Sequence, residues 1–424
     1  MTQGRPWWGG VGLGVIGVGA WVLATDVPFW NTLWFLFAWI GFLLALDAVI
    51  FWLQGHSFLI GRRRELGAML FWSVPYWCLF EIYNLRLENW YYVFLPHSET
   101  VQGLFAFVAF ATVLPACFFG AELFSALGWF DALRSHPLRV GRGVELGLFG
   151  FGIACIVLPL VTPTYAFWMV WGATLGVPEV INRRLGAPSL LADLEAGRPA
   201  RTLQLLAGGL LAGAVWESMN FYARAKWIYT VPGFEEYKLF EMPLLGFVGF
   251  PVLALEAFAG YALFCHWARG GRHWADPKPK GRVSDRRLFT AFVLFSAVTS
   301  VLALDPVVHS WRPLLDDLNG LDAAEITSLQ AAGVRSPEQL VRYVESGATG
   351  YDEPYMHANL SLHKGMGTVM AAGLIAQGID SIPALAVADA STLHASLQHL
   401  ENPPRPAQVK VWIRAAKING RRRR

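Results

Sequence analysis

Two stretches of this chain place carboxylic acids and amides where hydrocarbon is expected. In "FEIYNLRLENWYYV", residues 80–93, Glu81 and Asn84 follow a long apolar run; in "WESMNFYARAKWIYTV", residues 216–231, Glu217 and Asn220 recur at the same spacing of three. Each pair leads into a Trp-x-aromatic step, Trp90/Tyr92 and Trp227/Tyr229. An ionised carboxylate at the centre of a membrane helix costs on the order of 3 kcal/mol even on lenient insertion scales, so such acids face a bundle interior. Burial disfavours the charged form of a carboxyl group, and a neutral buried acid can hand a proton to an apolar substrate. The plainer alternative is that a Glu–Asn pair on one helical face binds helices together by hydrogen bonds. The residues alone leave both readings open.

The offset of about 136 extends beyond these stretches. Pro115 matches Pro251, and an acid follows each, Glu122 and Glu256. "WIGFLLALDAVI" from Trp39 matches "WGATLGVPEVI" from Trp171, pairing Asp47 with Glu179, and each segment closes with a glycine and a serine, Gly55/Ser57 and Gly186/Ser189. Self-similarity at a long fixed period marks a structural unit packed against its copy. The sharper expectation is that Asp47, Glu81, Glu122, Glu179, Glu217 and Glu256 converge as catalytic acids on a cleft between two repeats. Asn84, Asn220, Trp90, Trp227, Tyr92 and Tyr229 would then bind the substrate.

The elements that must carry these residues are membrane helices. The 424 residues are 54% hydrophobic and only 15% charged, with a mean hydropathy of +0.39, which excludes an ordinary soluble domain. Apolar blocks near 8–25, 29–53, 66–86, 102–128, 143–161, 164–181, 202–222, 239–267 and 287–304 approach or exceed the roughly 20 residues a crossing needs. Basic clusters fall in every second loop, beginning with Arg62, Arg63 and Arg64, and put those loops and the N-terminus in the cytoplasm of what reads as a bacterial cytoplasmic membrane. Arg86, Arg224 and Lys226 read as snorkelling residues in an aromatic belt. The fold class is therefore all-α: a polytopic bundle of two parallel four-helix repeats, about nine spans in all, plus a small soluble helical domain. The units are a first span over 1–27, repeats over 28–142 and 143–270, a basic loop and last span over 271–311, and the soluble domain with a basic tail over 312–424.

Cys78, Cys117, Cys155 and Cys265 sit at scattered depths and read as small core hydrophobes. "GLGVIG", Gly12 to Gly17, fits a dinucleotide fingerprint but lies inside an apolar block with no preceding strand, so its glycines read as helix-packing contacts. The scattered histidines, His357 and His363 included, lack metal-ligand spacing, and no metal or cofactor is expected.

"WESMNFYARAKWIY" followed by "MPLLGFVGFPVLALEAF" resembles the membrane-integral lycopene cyclases, over residues 28–267. The family's repeated domain carries a Trp-acid opening, a W-x-Y step and a later Gly-x-Pro. The resemblance implies family positions for Glu217, Asn220, Trp227, Tyr229, Pro251 and Glu256, and for Glu81, Asn84, Trp90, Tyr92, Pro115 and Glu122 in a degenerate first copy. The family's paired acids two and three residues after the proline are replaced here by one acid at five or seven. The implied activity is cyclisation of a long isoprenoid: protonation of a terminal double bond, then loss of a proton from the carbocation. A proton- or cation-coupled transporter and a non-enzymatic membrane anchor are the alternatives.

In the C-terminal part "AAGVRSPEQL" at 331–340 recurs as "AQGIDSIPAL" at 376–385. With "LNGLDAAEITSL" and "HKGMGTVMAAGL" before them, residues 312–418 resemble a tandem helix-hairpin-helix domain, in which hairpin amides at Gly365 and Gly367 would bind phosphate. Asp322 occupies the place of the second glycine in the first copy. A protein partner or nucleic acid would bind through 312–424, with Arg421–Arg424 as a basic contact for nucleic acid or anionic lipid. Nine spans from a cytoplasmic N-terminus leave this domain outside, which favours the protein partner.

Overall fold

The computed structural model describes residues 5–27, 29–231, 237–275, 305–400 and 402–422. The apolar block at 287–304, the basic loop from residue 276 onward and the side chains of Arg421–Arg424 lie outside the described residues. The chain is mostly helical, with only short strands.

The first part runs α1 (Trp7–Ala24), α2 (Trp34–Gln54), α3 (Arg63–Leu87), β1 (Trp90–Val93), α4 (Glu99–Ala111) and α5 (Val113–Ala126). The second runs α6 (Arg142–Val161), α7 (Pro163–Ala166), a 3-10 segment Phe167–Gly172, α8 (Gly176–Leu185), α9 (Leu190–Glu195), α10 (Ala200–Tyr222), β2 (Lys226–Tyr229), β3 (Lys238–Leu239), β4 (Met242–Pro243) and α11 (Gly249–Ala268). Among the described residues, five helical stretches are long and apolar enough to cross a membrane: Trp7–Ala24, Trp30–Gln54, Glu99–Ala126, Arg142–Val161 and Leu244–Ala268. Helix is the form that satisfies every peptide group without water. Helices α3 and α10, 25 and 23 residues long, have the length but carry the buried acids and amides.

The stretch expected as one span at 164–181 is instead broken into α7, the 3-10 segment and α8. Its glycines explain why: a Cβ on Gly176 would lie 2.5 Å from Leu148 O, so this segment presses its backbone onto α6. Helices α1 and α2 meet the same way, with Gly12 and Gly41 each leaving room for the other's carbonyl, as the packing reading of "GLGVIG" anticipated. Gly120 in α5 and Gly208 in α10 make the corresponding close approach between the first and second parts. Pro115 and Pro251 each fall third in their helix, where a missing N–H costs nothing.

Both α3 and α10 turn into their strands through an amide. Asn84 Oδ1 accepts from Asn89 N and Trp90 N, and its Nδ2 donates to Trp90 O; Asn220 does both jobs for Trp227. The strands then pair antiparallel, Trp90 opposite Tyr229 and Tyr92 opposite Trp227. That register is the self-complementary one expected when two like segments meet about a two-fold axis.

The C-terminal domain comprises α12 (Ala323–Ala331), α13 (Pro337–Glu345), α14 (Asp352–Leu362), α15 (Thr368–Ala376), α16 (Ile382–Val387), α17 (Ala390–Ser396) and α18 (Pro406–Arg422). Ser336 and Ser381, 45 apart, cap α13 and α16 alike. Asp322 caps α12 with a reciprocal bond from Glu325, which accounts for an acid where a second hairpin glycine was expected. The domain sits on β1. His309 N donates to Tyr92 O, Leu95 N to Ser310 O, and Val411 packs with Tyr91, Val93, Phe94 and Ile228. Gly365, φ +67°, faces Val93 so closely that a Cβ would lie 2.3 Å from Val93 Cβ. Ser310 covers Gly367 and donates to Gly365 O. The hairpin that the resemblance assigned to phosphate is thus buried in this seam.

Candidate functional site

The amides, being consumed by the strand backbone, are turn-holders rather than substrate contacts. Each acid three residues earlier instead addresses the strand's side chains. Glu81 Oε1 accepts from Tyr92 OH at 2.6 Å and Trp77 Nε1 at 2.9 Å, and its Oε2 from Trp90 Nε1 at 3.3 Å. Glu217 Oε1 accepts from Tyr229 OH at 2.7 Å, and that hydroxyl accepts from Trp227 Nε1 at 2.9 Å. Glu217 Oε2 is buried and has no partner among the described residues. Both carboxyl groups are fully buried, with no cation bonded to them among the described residues.

In front of the acids lies a cavity of about 130 Å³ that opens through a wider mouth. Trp77, Trp90, Tyr92, Trp216, Trp227 and Tyr229 line it, with Phe35 and Leu36 from α2, Phe105 and Phe110 from α4, and Trp171 from the 3-10 segment. Trp216 stacks at a tilt on Trp227 with centroids 5.0 Å apart, and Phe35 meets Trp227 edge-on at 5.1 Å. A second space, lined by the exposed Trp168, Leu245 and Val248, shares Trp90, Trp171 and Tyr229 with the first. The site is an aromatic chamber whose walls carry hydroxyl and indole groups wired to two buried acids. The O···O distances suit either direction of the Tyr–Glu bond, so each tyrosine can turn its hydroxyl proton to the cavity while its carboxyl donates behind it.

The other four acids are elsewhere. Asp47 accepts from Ser57 Oγ at 2.7 Å, Phe58 N, Leu59 N and Trp8 Nε1; Glu179 accepts from Ser189 Oγ and Leu191 N. These two fold the Gly/Ser loops that follow α2 and α8. Glu122 pairs with Arg62 and accepts from Gln54 Nε2 at 2.8 Å at the basic end of the bundle. Glu256 takes Thr174 N at 3.2 Å and Oγ1 at 3.1 Å, with Tyr76 bonded to the same hydroxyl. Convergence of all six on one cleft therefore fails: only Glu81 and Glu217 back the aromatic chamber. Asp47 and Glu179 end in loops because the backbone after α2 and α8 offers them free N–H groups.

Arg224 does not snorkel. It pairs with Asp26 at 3.6 Å and Glu338 at 3.9 Å, and Asp26 also takes Ser336 Oγ at 2.9 Å and Arg342 at 3.6 Å, tying α13 to the end of α1. Lys226 lines the chamber and bonds Glu241 at 3.2 Å; burial pushes its ammonium down from the ordinary lysine range, with Glu241 opposing. Trp77 escaped the sequence reading, although it stands one turn before Glu81, and Trp216 entered it only as the tryptophan of the Trp-acid opening. Set beside known protein families, curated proteins and solved structures, the chain matches none of them.

Proposed function

We propose that the protein is an integral membrane enzyme that rearranges a lipid-soluble isoprenoid-like chain by intramembrane acid–base catalysis. The observation that carries this reading is the pair of buried carboxyls, each bonded to a tyrosine on the wall of one aromatic chamber. Tyr229, backed by Glu217, would protonate a double bond. The faces of Trp77, Trp216 and Trp227 would stabilise the carbocation. Tyr92, backed by Glu81, would take a proton from a neighbouring carbon, so the reaction is an isomerisation or cyclisation with no net proton gain. Glu81 suits the accepting role because three donors already converge on it, and Glu217 suits the donating role because its Oε2 has none.

The same reading includes two parallel four-helix repeats and nine crossings, with the N-terminus and basic loops in the cytoplasm. Supporting it are the self-complementary β1–β2 register and the ends of the described chain: Trp274 N bonds Glu65 at the start of α3, whereas Val308 bridges Tyr92 beyond its end. The test is expression in cells that accumulate lycopene, followed by extraction of pigments and other isoprenoids. New cyclised or isomerised products lost in Glu217→Gln would support the reading, and an unchanged profile would remove its carotenoid form. A membrane anchor for the C-terminal domain is the second reading, favoured by the Asp26–Arg224–Glu338–Arg342 cluster. It predicts that the double Glu→Gln variant loses stability and changes no chemistry.

A further inference from the structure

Among the described residues lining the aromatic chamber, Lys226 alone is charged. Its Nζ donates to Phe221 O at 3.0 Å and Glu241 Oε1 at 3.2 Å, which uses two of an ammonium group's three donors. Glu241, itself buried, also receives Lys364 Nζ at 2.8 Å from the C-terminal domain. One carboxylate therefore serves two ammonium groups. Among the described residues Glu241 is the one carboxylate bonded to either ammonium group, and one of the two, Lys226, faces an otherwise apolar chamber.

We propose that Lys226 anchors the acidic head, a carboxylate or phosphate, of a long apolar ligand whose chain lies along Trp216 and Trp227. Lys226 Nζ would give its third hydrogen bond to the head, a charge-assisted contact. Lys364 and Glu241 then act as positioning residues, and through them the C-terminal domain bears on the head group. This deepens the reading above by naming the substrate class. It rests on the chamber being where the substrate lies and needs no chemistry from Glu81 or Glu217.

The test uses the full chain in a neutral detergent and reads quenching of tryptophan fluorescence by a brominated fatty acid, its methyl ester and a brominated phosphatidylglycerol at pH 8. The acid should quench at about tenfold lower concentration than the ester. Lys226→Met should erase that difference while leaving the ester curve unchanged, and Lys226→Arg should keep it. Quenching by the two-chain lipid at the acid's concentration would assign the head to bilayer lipid; quenching by the acid alone would assign it to a single-chain substrate. Equal quenching by acid and ester in the unaltered protein, or a preference for acid that survives Lys226→Met, overturns the proposal. If Lys226→Met loses ester quenching as well, the variant is misfolded and the comparison in the unaltered protein decides. The readout is binding, so a negative pigment assay leaves it standing, and its own failure leaves the acid chemistry standing.

Discussion

The surroundings of Glu81 and Glu217 differ although their sequences match. Around Glu81 the strand residues Trp90 and Tyr92 both reach the carboxyl, and Trp77 joins from the preceding helical turn. Around Glu217 the equivalent tryptophan, Trp227, stops at the hydroxyl of Tyr229, one oxygen is left over, and Trp216 turns its ring to the chamber instead. One residue more between acid and strand in the second copy accompanies this change. Two matching stretches of sequence thus yield, among the described residues, a saturated acid and an unsaturated one facing the same space. Two carboxyls in unlike settings are what an acid–base pair needs.

The largest expected effect is on turnover. Glu217→Gln should lower product formation by about 100-fold or more, the low end of what a positioned acid contributes, and Glu81→Gln should cost clearly less. Equal losses, measured as product per milligram of membrane protein, would break the distinction between the two acids. Stability should run the other way. Glu81→Leu strands three donors, Trp90 buried and Trp77 and Tyr92 half-buried, at up to roughly 1–3 kcal/mol each, whereas Glu217→Leu strands one, so thermal unfolding in detergent should show the greater loss for Glu81→Leu.

The next effect tests how far the C-terminal domain, seated on β1, supports the Glu81 side. Burial pushes His309 and His363 down to about 4 from the ordinary 6.5. The unfolded chain binds more protons below 6.5, so stability is present above that value and is lost as the pH falls towards 4, by up to about 3 kcal/mol for each histidine. The unfolding midpoint should fall across that window, and His309→Gln should flatten the fall; a midpoint indifferent to pH would detach the seam from stability. The smallest effect contrasts two glycines. Gly365→Ala would collide with Val93 and release the hairpin from β1, read as new protease cleavage near residues 305–312. Gly333→Ala has open space and only a left-handed φ of +87°, so about 1 kcal/mol of strain should leave the cleavage pattern unchanged.

Much of this was legible in the residues. Apolar length marked the long helices, and the period of 136 picked out Glu81, Glu217, Tyr92 and Tyr229, which do stand at one chamber. The same period misled for Asp47, Glu179, Glu122 and Glu256, because a carboxyl's fate depends on which N–H or cation lies within about 3 Å, and sequence offset carries no such distance. The break at 163–185 was hidden because hydropathy sums over a window, while Gly172 and Gly176 act by letting a backbone approach α6.

Composition by itself determined that this chain folds mainly into helices, five of them among the described residues long and apolar enough to cross a membrane, since a segment with so few polar side chains must satisfy its peptide groups internally. The spacing of acid, amide and aromatic determined that two like turns would form, because Asn84 and Asn220 bond only to backbone a few residues away. Tertiary structure alone decided that the two turns pair as antiparallel strands, that tryptophans from five separate elements enclose one space, and that Arg224 and Lys226 belong to a seam with the C-terminal domain. Those outcomes depend on contacts between residues more than a hundred positions apart, where side-chain shape and the choice of partner outweigh any local pattern.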